Sequence, residues 1–197
     1  MKLVLIASGV GLAALSQATT LTFTGVADDF FDAYVSTNDS VQGTLFAQQT
    51  ATWQSGGATG SITLTPFVTN YLHVKARDAF GAPSMFIGQA SLDNTDFEFL
   101  NTTQSILTNT ADWNLSLTGF GSGYFTPADL GQNGTGPWGT QGNVNINARR
   151  LWSTPNGGGG EQYFSIAIRS NAVPEPMTMV GLAVLGLVAS RRKLKQS

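Results

Sequence analysis

Apolar and polar residues alternate through much of the middle of this chain, which is the pattern of β-strands that bury one face. In three segments, apolar side chains recur at every second position. These sets are Phe31, Ala33 and Val35; Leu72, Val74 and Ala76; and Phe164, Ile166 and Ile168. Gly-rich segments such as 131–142 and 156–160 separate the strand-like runs. We therefore predict an all-β domain over residues 19–172, an antiparallel β-sandwich with a jelly-roll-like arrangement.

The composition favours strands and turns over helices. The 197-residue chain has 23 glycines, no cysteine and 11% charged residues. Strong helix formers are scarce between residues 20 and 170, whereas Thr, Ser and Asn are plentiful. Without cysteine, disulfides and cysteine-based metal sites or nucleophiles are excluded. The domain must therefore hold together by packing and hydrogen bonds alone.

Charge is distributed unevenly between the middle and the two ends. The middle keeps five of the ten basic residues and eleven of the twelve acidic ones, a net charge of −6. Binding to nucleic acid requires a basic surface, because the phosphate backbone supplies most of the affinity. We therefore expect no nucleic-acid partner.

The N-terminus has the order of features found in a secretory signal peptide. Lys2 gives a positive start, 3–15 is apolar, and Ser16-Gln17-Ala18 supplies small residues for a cleavage site. The apolar run is too short to be a good membrane span. We predict a signal peptide over residues 1–18, forming a helix, with cleavage after Ala18 and export of the rest. The alternative is a buried N-terminal helix.

The C-terminus, residues 173–197, places a proline-flanked step before an apolar run and a basic end. Val173, Pro174, Glu175 and Pro176 form an extended step, because proline fixes φ and disfavours helix before it. The following run, 177–189, spans roughly 20 Å as a helix, short of a hydrocarbon core of about 30 Å. Flanking residues extend this predicted transmembrane helix. The basic end predicts a cytoplasmic C-terminus, and it consists of Arg191, Arg192, Lys193 and Lys195.

Together these features resemble the PEP-CTERM sorting signal. In that family an exosortase, a membrane enzyme of Gram-negative bacteria, recognises the Pro-Glu-Pro tripeptide and passes the body to the cell surface or the extracellular polymer. The resemblance implies that Val173–Pro176 is the sorting motif and that Arg191, Arg192 and Lys193 are the stop. It also implies an exosortase partner and a transient stay in the inner membrane. The alternative is a plain C-terminal membrane anchor.

The middle of the chain resembles galactose-binding-like jelly-roll domains in several short segments. ADDFFDAYV, residues 27–35, is similar to one strand of that group, and NYLHVKARD, residues 70–78, with 85–88 is similar to a later strand and its partner. Asp112-Trp113, Gly136–Gly139 and Leu151-Trp152 are further markers. The Asn-Gly turn expected after the first strand is replaced by Ser36-Thr37-Asn38. The resemblance implies the fold more than a sugar specificity.

Three aspartates form the densest acidic group of the chain. Asp28, Asp29 and Asp32 offer oxygen ligands of the kind that Ca²⁺ prefers, so calcium is the one candidate cofactor. Without an EF-hand or a similar repeat, the alternative is that they form turns. Paired carboxylates also occur in glycosidases, although sequence does not supply the separation that such an enzyme needs. The identity of any metal stays open.

Tryptophans and the single histidine are the remaining candidates for binding or catalytic residues. Trp138 lies in a predicted loop, and an exposed aromatic ring there would stack on a sugar; the alternative is that it caps the core. We expect Trp113 and Trp152 to be core residues. His73 falls in the polar register of its strand, and we predict that it is solvated rather than catalytic.

No nucleophile–base signature is present, so we expect a protein without enzymatic activity. The sequence predicts an exported structural or adhesive component of the cell surface or the exopolysaccharide matrix that contacts polysaccharide. The alternatives are a lectin-like module with a definite sugar site and, less favoured, a secreted glycoside hydrolase.

Overall fold

The computed structural model describes residues 18–171, and these residues form two antiparallel sheets that pack as a sandwich. Sheet 1 contains β1 (Thr20–Asp28), β4 (Ala58–Thr63), β6 (Met85–Leu92), β8 (Ser105–Leu107), β10 (Ala128–Gln132) and β11 (Arg149–Trp152). Sheet 2 contains β2 (Phe30–Ser36), β3 (Thr44–Gln49), β5 (Asn70–Asp78), β7 (Phe97–Phe99), β9 (Asn114–Ser116) and β12 (Gly160–Ser170). One short 3₁₀ helix, Trp53–Ser55, precedes β4.

Strand order explains how distant segments meet. Sheet 1 runs β10-β11-β6-β1-β4, with β8 also paired to β6, and sheet 2 runs β3-β2-β5-β12-β7, with β9 also paired to β12. Within residues 18–171, no helix is long and apolar enough to cross a membrane. The all-β, antiparallel, two-sheet prediction is confirmed.

The core lies between the two sheets and is rich in aromatic rings. Phe23 of β1 meets Phe31 of β2 edge to face at 5.7 Å, and Phe86 of β6 meets Phe164 of β12 at 4.6 Å. All three sets of alternating apolar residues predicted to face inward are buried. The period-two pattern therefore identified the inner face of sheet 2 correctly.

The predicted terminal segments lie outside the described residues. These are the signal peptide up to Gln17, the motif Val173–Pro176, the apolar run 177–189 and the basic stop. Ala18, the predicted cleavage position, is the first residue described, and it is exposed.

Candidate functional site

The outer face of sheet 2 carries a row of polar and charged side chains. Because β2 turns Phe31 inward, Phe30 and Asp32 point outward, and the same alternation on β5 exposes Lys75 and Arg77. The register places Phe30 opposite Arg77, and Asp32 opposite Lys75. On the other side of β2, Asp32 is paired with Gln48 of β3. Three neighbouring strands thus bring these groups together.

These side chains line a groove with a volume of about 450 Å³. Its lining residues are Phe30, Phe31, Asp32, Gln48, Gln49, Thr50, Lys75 and Arg77. The groove offers a carboxylate, amides, a hydroxyl, an ammonium and a guanidinium group. This mixture of donors and acceptors suits a ligand rich in hydroxyl groups.

Contacts within the groove hold its charged groups in place. Gln48 Nε2 donates a 2.6 Å hydrogen bond to Asp32 Oδ1, and Lys75 Nζ lies 2.6 Å from Glu161 Oε1. The bond from Lys75, helped by one from the Tyr163 hydroxyl, keeps the pKa of Glu161 below its usual value. The Arg77 guanidinium lies 4.9 Å over the ring of Phe30. The charge of Lys75 is therefore paired inside the protein, whereas Arg77 rests on an aromatic face.

Further along the same outer face, two loops converge on one carboxylate. Asp39 Oδ1 accepts hydrogen bonds from His73 Nε2 at 3.2 Å, from the Tyr124 hydroxyl at 2.9 Å and from Ser165 Oγ at 3.0 Å. Asp39 belongs to the β2–β3 loop and Tyr124 to the segment after β9. We call this cluster the Asp39 hub. It fastens both loops onto β5 and β12.

The prediction that His73 is solvated is wrong. Its side chain is fully buried, and the ring of Phe120 stacks on the imidazole with centroids 4.1 Å apart. Burial lowers the pKa of His73, against the opposing effect of the Asp39 hydrogen bond. The polar register was read correctly, but loops cover that part of the sheet. The sequence did not indicate that loops cover His73, because Asp39, which bonds to it, is 34 residues away in the chain.

Although the hub contains Ser, His and Asp, its geometry differs from that of a catalytic triad. In a triad, histidine lies between the serine and the aspartate and takes the serine proton. Here Ser165 and His73 both bond to the same oxygen of Asp39. The other imidazole nitrogen, Nδ1, faces the carbonyl oxygen of Gln42 at 3.4 Å. The cluster is therefore arranged to join elements, with no relay from Ser165 to His73.

The three predicted calcium ligands have separate partners. Asp28 Oδ2 accepts a 2.7 Å bond from Trp138 Nε1, Asp29 Oδ2 accepts a 3.1 Å bond from the backbone of Ala79, and Asp32 lines the groove. Among residues 18–171, no group of three or more His, Cys, Asp or Glu side chains could hold a metal ion. Calcium binding at these aspartates stays a prediction.

Asp28 has an unusual protonation equilibrium. Burial raises its pKa to about 6, the Trp138 bond opposes the rise, and the neighbouring Asp29 carboxyl adds to it. Neither Asp28 nor Asp29 lines the groove. The two carboxyls therefore do not add an acid–base pair to the candidate site.

Trp138 is buried, and the prediction of an exposed ring is wrong. It is only 7% exposed and packs in a second apolar cluster, against the outer face of sheet 1. This cluster consists of Val26, Met85, Ile87, Trp138, Val144 and Ala148. Trp113 and Trp152 are buried, as predicted. Trp138 therefore covers the outer face of sheet 1 rather than the core between the sheets, and its ring does not present a free face for stacking on a sugar.

A second, smaller groove of about 260 Å³ lies on sheet 1. Its polar lining consists of neutral hydroxyl and amide groups, from Thr22, Thr24, Gln89, Ser91, Ser105 and Asn145. The sheet 2 groove is larger and adds charged groups. We therefore take the sheet 2 groove as the candidate site. Sequence reasoning identified only Asp32 in it, although alternation on β5 signalled that Lys75 and Arg77 face outward.

Comparison of the chain with family models, with curated proteins and with solved structures finds no match in any of the three.

Proposed function

We propose that this protein is an exported bacterial surface or exopolysaccharide-matrix component whose β-sandwich binds polysaccharide through the sheet 2 groove. The observation that carries this proposal is the polar, partly charged groove of about 450 Å³ built across β3, β2 and β5. A sugar presents hydroxyls that both donate and accept hydrogen bonds. Asp32 accepts such bonds, Lys75 and Arg77 donate them, and Gln48 and Thr50 do both.

An adhesive role follows from binding a polymer of the matrix, and a lectin-like module with a definite sugar site is the sharper form of the same proposal. We propose no hydrolytic activity. A glycosidase needs two carboxyls roughly 5 to 9.5 Å apart across the bond that it cuts. The groove is lined by one carboxylate, that of Asp32, among the residues described.

Export and sorting form the second part of the proposal, and they rest on the two ends of the sequence. A signal peptide over 1–18 would direct export, and the C-terminal helix would hold the protein in the inner membrane until an exosortase acts at Pro174–Pro176. Jelly-roll-like topology is the finer fold that we propose for the sandwich. None of this requires a cofactor.

Binding is tested with a glycan array probed by the purified full-length protein in detergent. We expect binding to a subset of polysaccharide fragments, and loss of most of it in Asp32→Ala, because this change removes an acceptor from the groove. Asp129→Ala is the matched control, since Asp129 lies on sheet 1, where it pairs with Arg149. If neither the wild-type protein nor the two variants bind any glycan, polysaccharide binding is excluded and only a structural role remains.

Sorting is tested by placing an epitope tag after Ser197 and another within an exposed loop such as 155–156. We expect the exported protein to keep the loop tag and to lose the C-terminal tag. Replacing Glu175 should leave both tags on a membrane-bound form. A mature exported protein that retains its C-terminal tag would show that this site is not processed.

A further inference from the structure

We infer that the sheet 2 groove recognises an acidic polysaccharide whose sugar rings carry carboxylate groups, with the Arg77 guanidinium as the contact for the carboxylate. This inference rests on the proposed function and specifies the class of sugar. It follows from which charges in the groove are already neutralised and which are not.

Arg77 is the basic group of the groove that forms no close ion pair within the described residues. Lys75, the other cation, is held 2.6 Å from Glu161. Close ion pairs within residues 18–171 join Lys75 to Glu161 and Arg149 to Asp129, and no carboxylate in that range lies within ion-pair distance of Arg77. Glu161, which faces Arg77 across β12 and β5, acts on the guanidinium from a longer distance while its own close contact is to Lys75. The Arg77 side chain is also exposed. Recognition of a carboxylate here is local: the guanidinium binds it through paired N–H groups, against the net negative charge of the domain.

The guanidinium of Arg77 is held in position before any ligand arrives. Its carbon lies 4.9 Å from the centroid of the Phe30 ring, and Phe30 is its direct cross-strand neighbour. The Arg77 carbonyl oxygen accepts a 2.8 Å bond from the backbone N–H of Asp29, which fixes the end of β5 against β2. A guanidinium over an aromatic ring keeps N–H groups for other partners, and two of these N–H groups match the two oxygens of a carboxylate.

The rest of the groove suits the hydroxyl groups of the same ligand. Asp32 and Gln48 form one bonded pair at 2.6 Å, and Thr50 lies at the edge of the groove. Asp32 would repel a carboxylate placed beside it but accepts bonds from sugar hydroxyls. A ring with its carboxylate at the Arg77 end and its hydroxyls toward Asp32 therefore satisfies both ends of the groove. Such a ring is a uronate.

The experiment uses the full-length protein and pairs of probes that differ only in their acid groups. Oligosaccharides of galacturonate, mannuronate and glucuronate are compared with the same oligosaccharides after reduction of each carboxyl to a hydroxymethyl group. We expect at least one acidic probe to bind roughly tenfold or more tightly than its reduced partner, as charge-assisted bidentate bonds predict. Arg77→Gln should abolish that difference, so that the acidic and the reduced probe bind with equal affinity. Arg169 is an exposed arginine outside the groove, so Arg169→Gln is the control. This variant should keep the difference in affinity between the acidic and the reduced probe.

The outcomes separate this inference from the function on which it rests. Equal affinity for acidic and reduced probes, or binding of neutral glycans alone, would overturn the acidic specificity while leaving polysaccharide binding in place. An acid preference that survives Arg77→Gln would also overturn it, because another group would then recognise the carboxylate. Absence of binding to every glycan would remove both proposals together.

Discussion

The outer face of sheet 1 beside Val26 and the outer face of sheet 2 beside Asp32 differ in whether another segment of the chain covers them. The outer face of sheet 1 is covered near β1 and β6 by the segment between β10 and β11, which brings Trp138, Val144 and Ala148 onto Val26 and its neighbours. The outer face of sheet 2 leaves a polar groove open beside β2 and β5. Both faces belong to the same sandwich, so their side chains explain why one region is covered by a chain segment and the other is open.

Chemistry explains why one face is covered and the other is not. Val26 and Ile87 lie side by side on sheet 1, and an apolar surface gains stability when it is removed from water. On sheet 2 the corresponding neighbours are Asp32 and Lys75, for which burial would cost free energy. We conclude that the covered face serves stability and that the open face is free to serve binding.

The largest expected effect concerns the side chain that fastens the covering segment. Arg150 is fully buried and donates to the carbonyl oxygens of Gln132 and Gly139 and to the Thr135 hydroxyl. Arg150→Met should lower the free energy of unfolding by about 3 kcal/mol, because three acceptors of the covering segment lose their charged donor. Urea denaturation measures this change.

Arg149 provides the matched control for Arg150. It is partly exposed and paired with Asp129 at 2.7 Å, so Arg149→Met should cost less than about 1 kcal/mol. Equal costs for the two arginines would show that the covering segment is not held by buried polar bonds.

The second effect tests the part of sheet 2 that loops do cover. Asp39→Ala removes one acceptor from three donors, two of which, His73 and Ser165, are buried. We expect a loss of about 2 kcal/mol in the free energy of unfolding and faster amide hydrogen exchange in 37–43 and 117–125. Asp32→Ala, in the open groove, should cost less than about 1 kcal/mol. A larger loss of stability from Asp32→Ala than from Asp39→Ala would contradict the distinction between the covered and the open parts of sheet 2.

A third, smaller effect is a pH dependence that originates at Asp28. Its pKa is raised from 3.8 to about 6, so between those values the folded protein holds a proton that the unfolded chain has released. Stability contributed by this group is therefore present below about pH 4 and is lost as the pH rises through about 6. Melting temperatures measured from pH 4 to 7 should decline more in the wild type than in Asp28→Asn, and this difference isolates Asp28 from His73, whose lowered pKa acts in the opposite direction. A profile that Asp28→Asn leaves unchanged would assign the decline to other groups.

The smallest effect is expected from the ion pair at the groove. Lys75 and Glu161 are partly exposed, at 27% and 39% of their side-chain surfaces. A double-mutant cycle with Lys75→Met and Glu161→Gln should give a coupling energy of less than about 1 kcal/mol. A much larger coupling energy would mean that the open face of sheet 2 also contributes to stability, which contradicts its assignment to binding alone.

Local patterns predicted the inward side chains well, because a strand has a strict period of two. Leu72, Val74 and Ala76 are buried as expected, and the same alternation turned Lys75 and Arg77 outward. The pattern could not tell whether an outward residue meets water or a loop. His73 shares that outward register and is nevertheless fully buried, because the Asp39 hub forms over it.

Contacts between distant segments could not be predicted from local sequence patterns for the same reason. Trp138 and Asp28 are 110 residues apart, and no periodicity within the loop indicates that this ring bonds to the end of β1. The glycines around Trp138 predicted a loop, which is correct, but they carried no information about what the loop covers. Likewise, Gln48 joins the groove only because β3 pairs with β2.

By itself, the sequence determined the all-β class, the inner faces of the main strands and the buried positions of Trp113 and Trp152, since these depend on local alternation and apolar content. Only the tertiary structure decided which strands become neighbours, and so which polar groups meet. The groove around Arg77, the Asp39 hub and the cover over sheet 1 all arise from that pairing. Strand order is set by packing across the whole chain, and a local pattern contains no record of it.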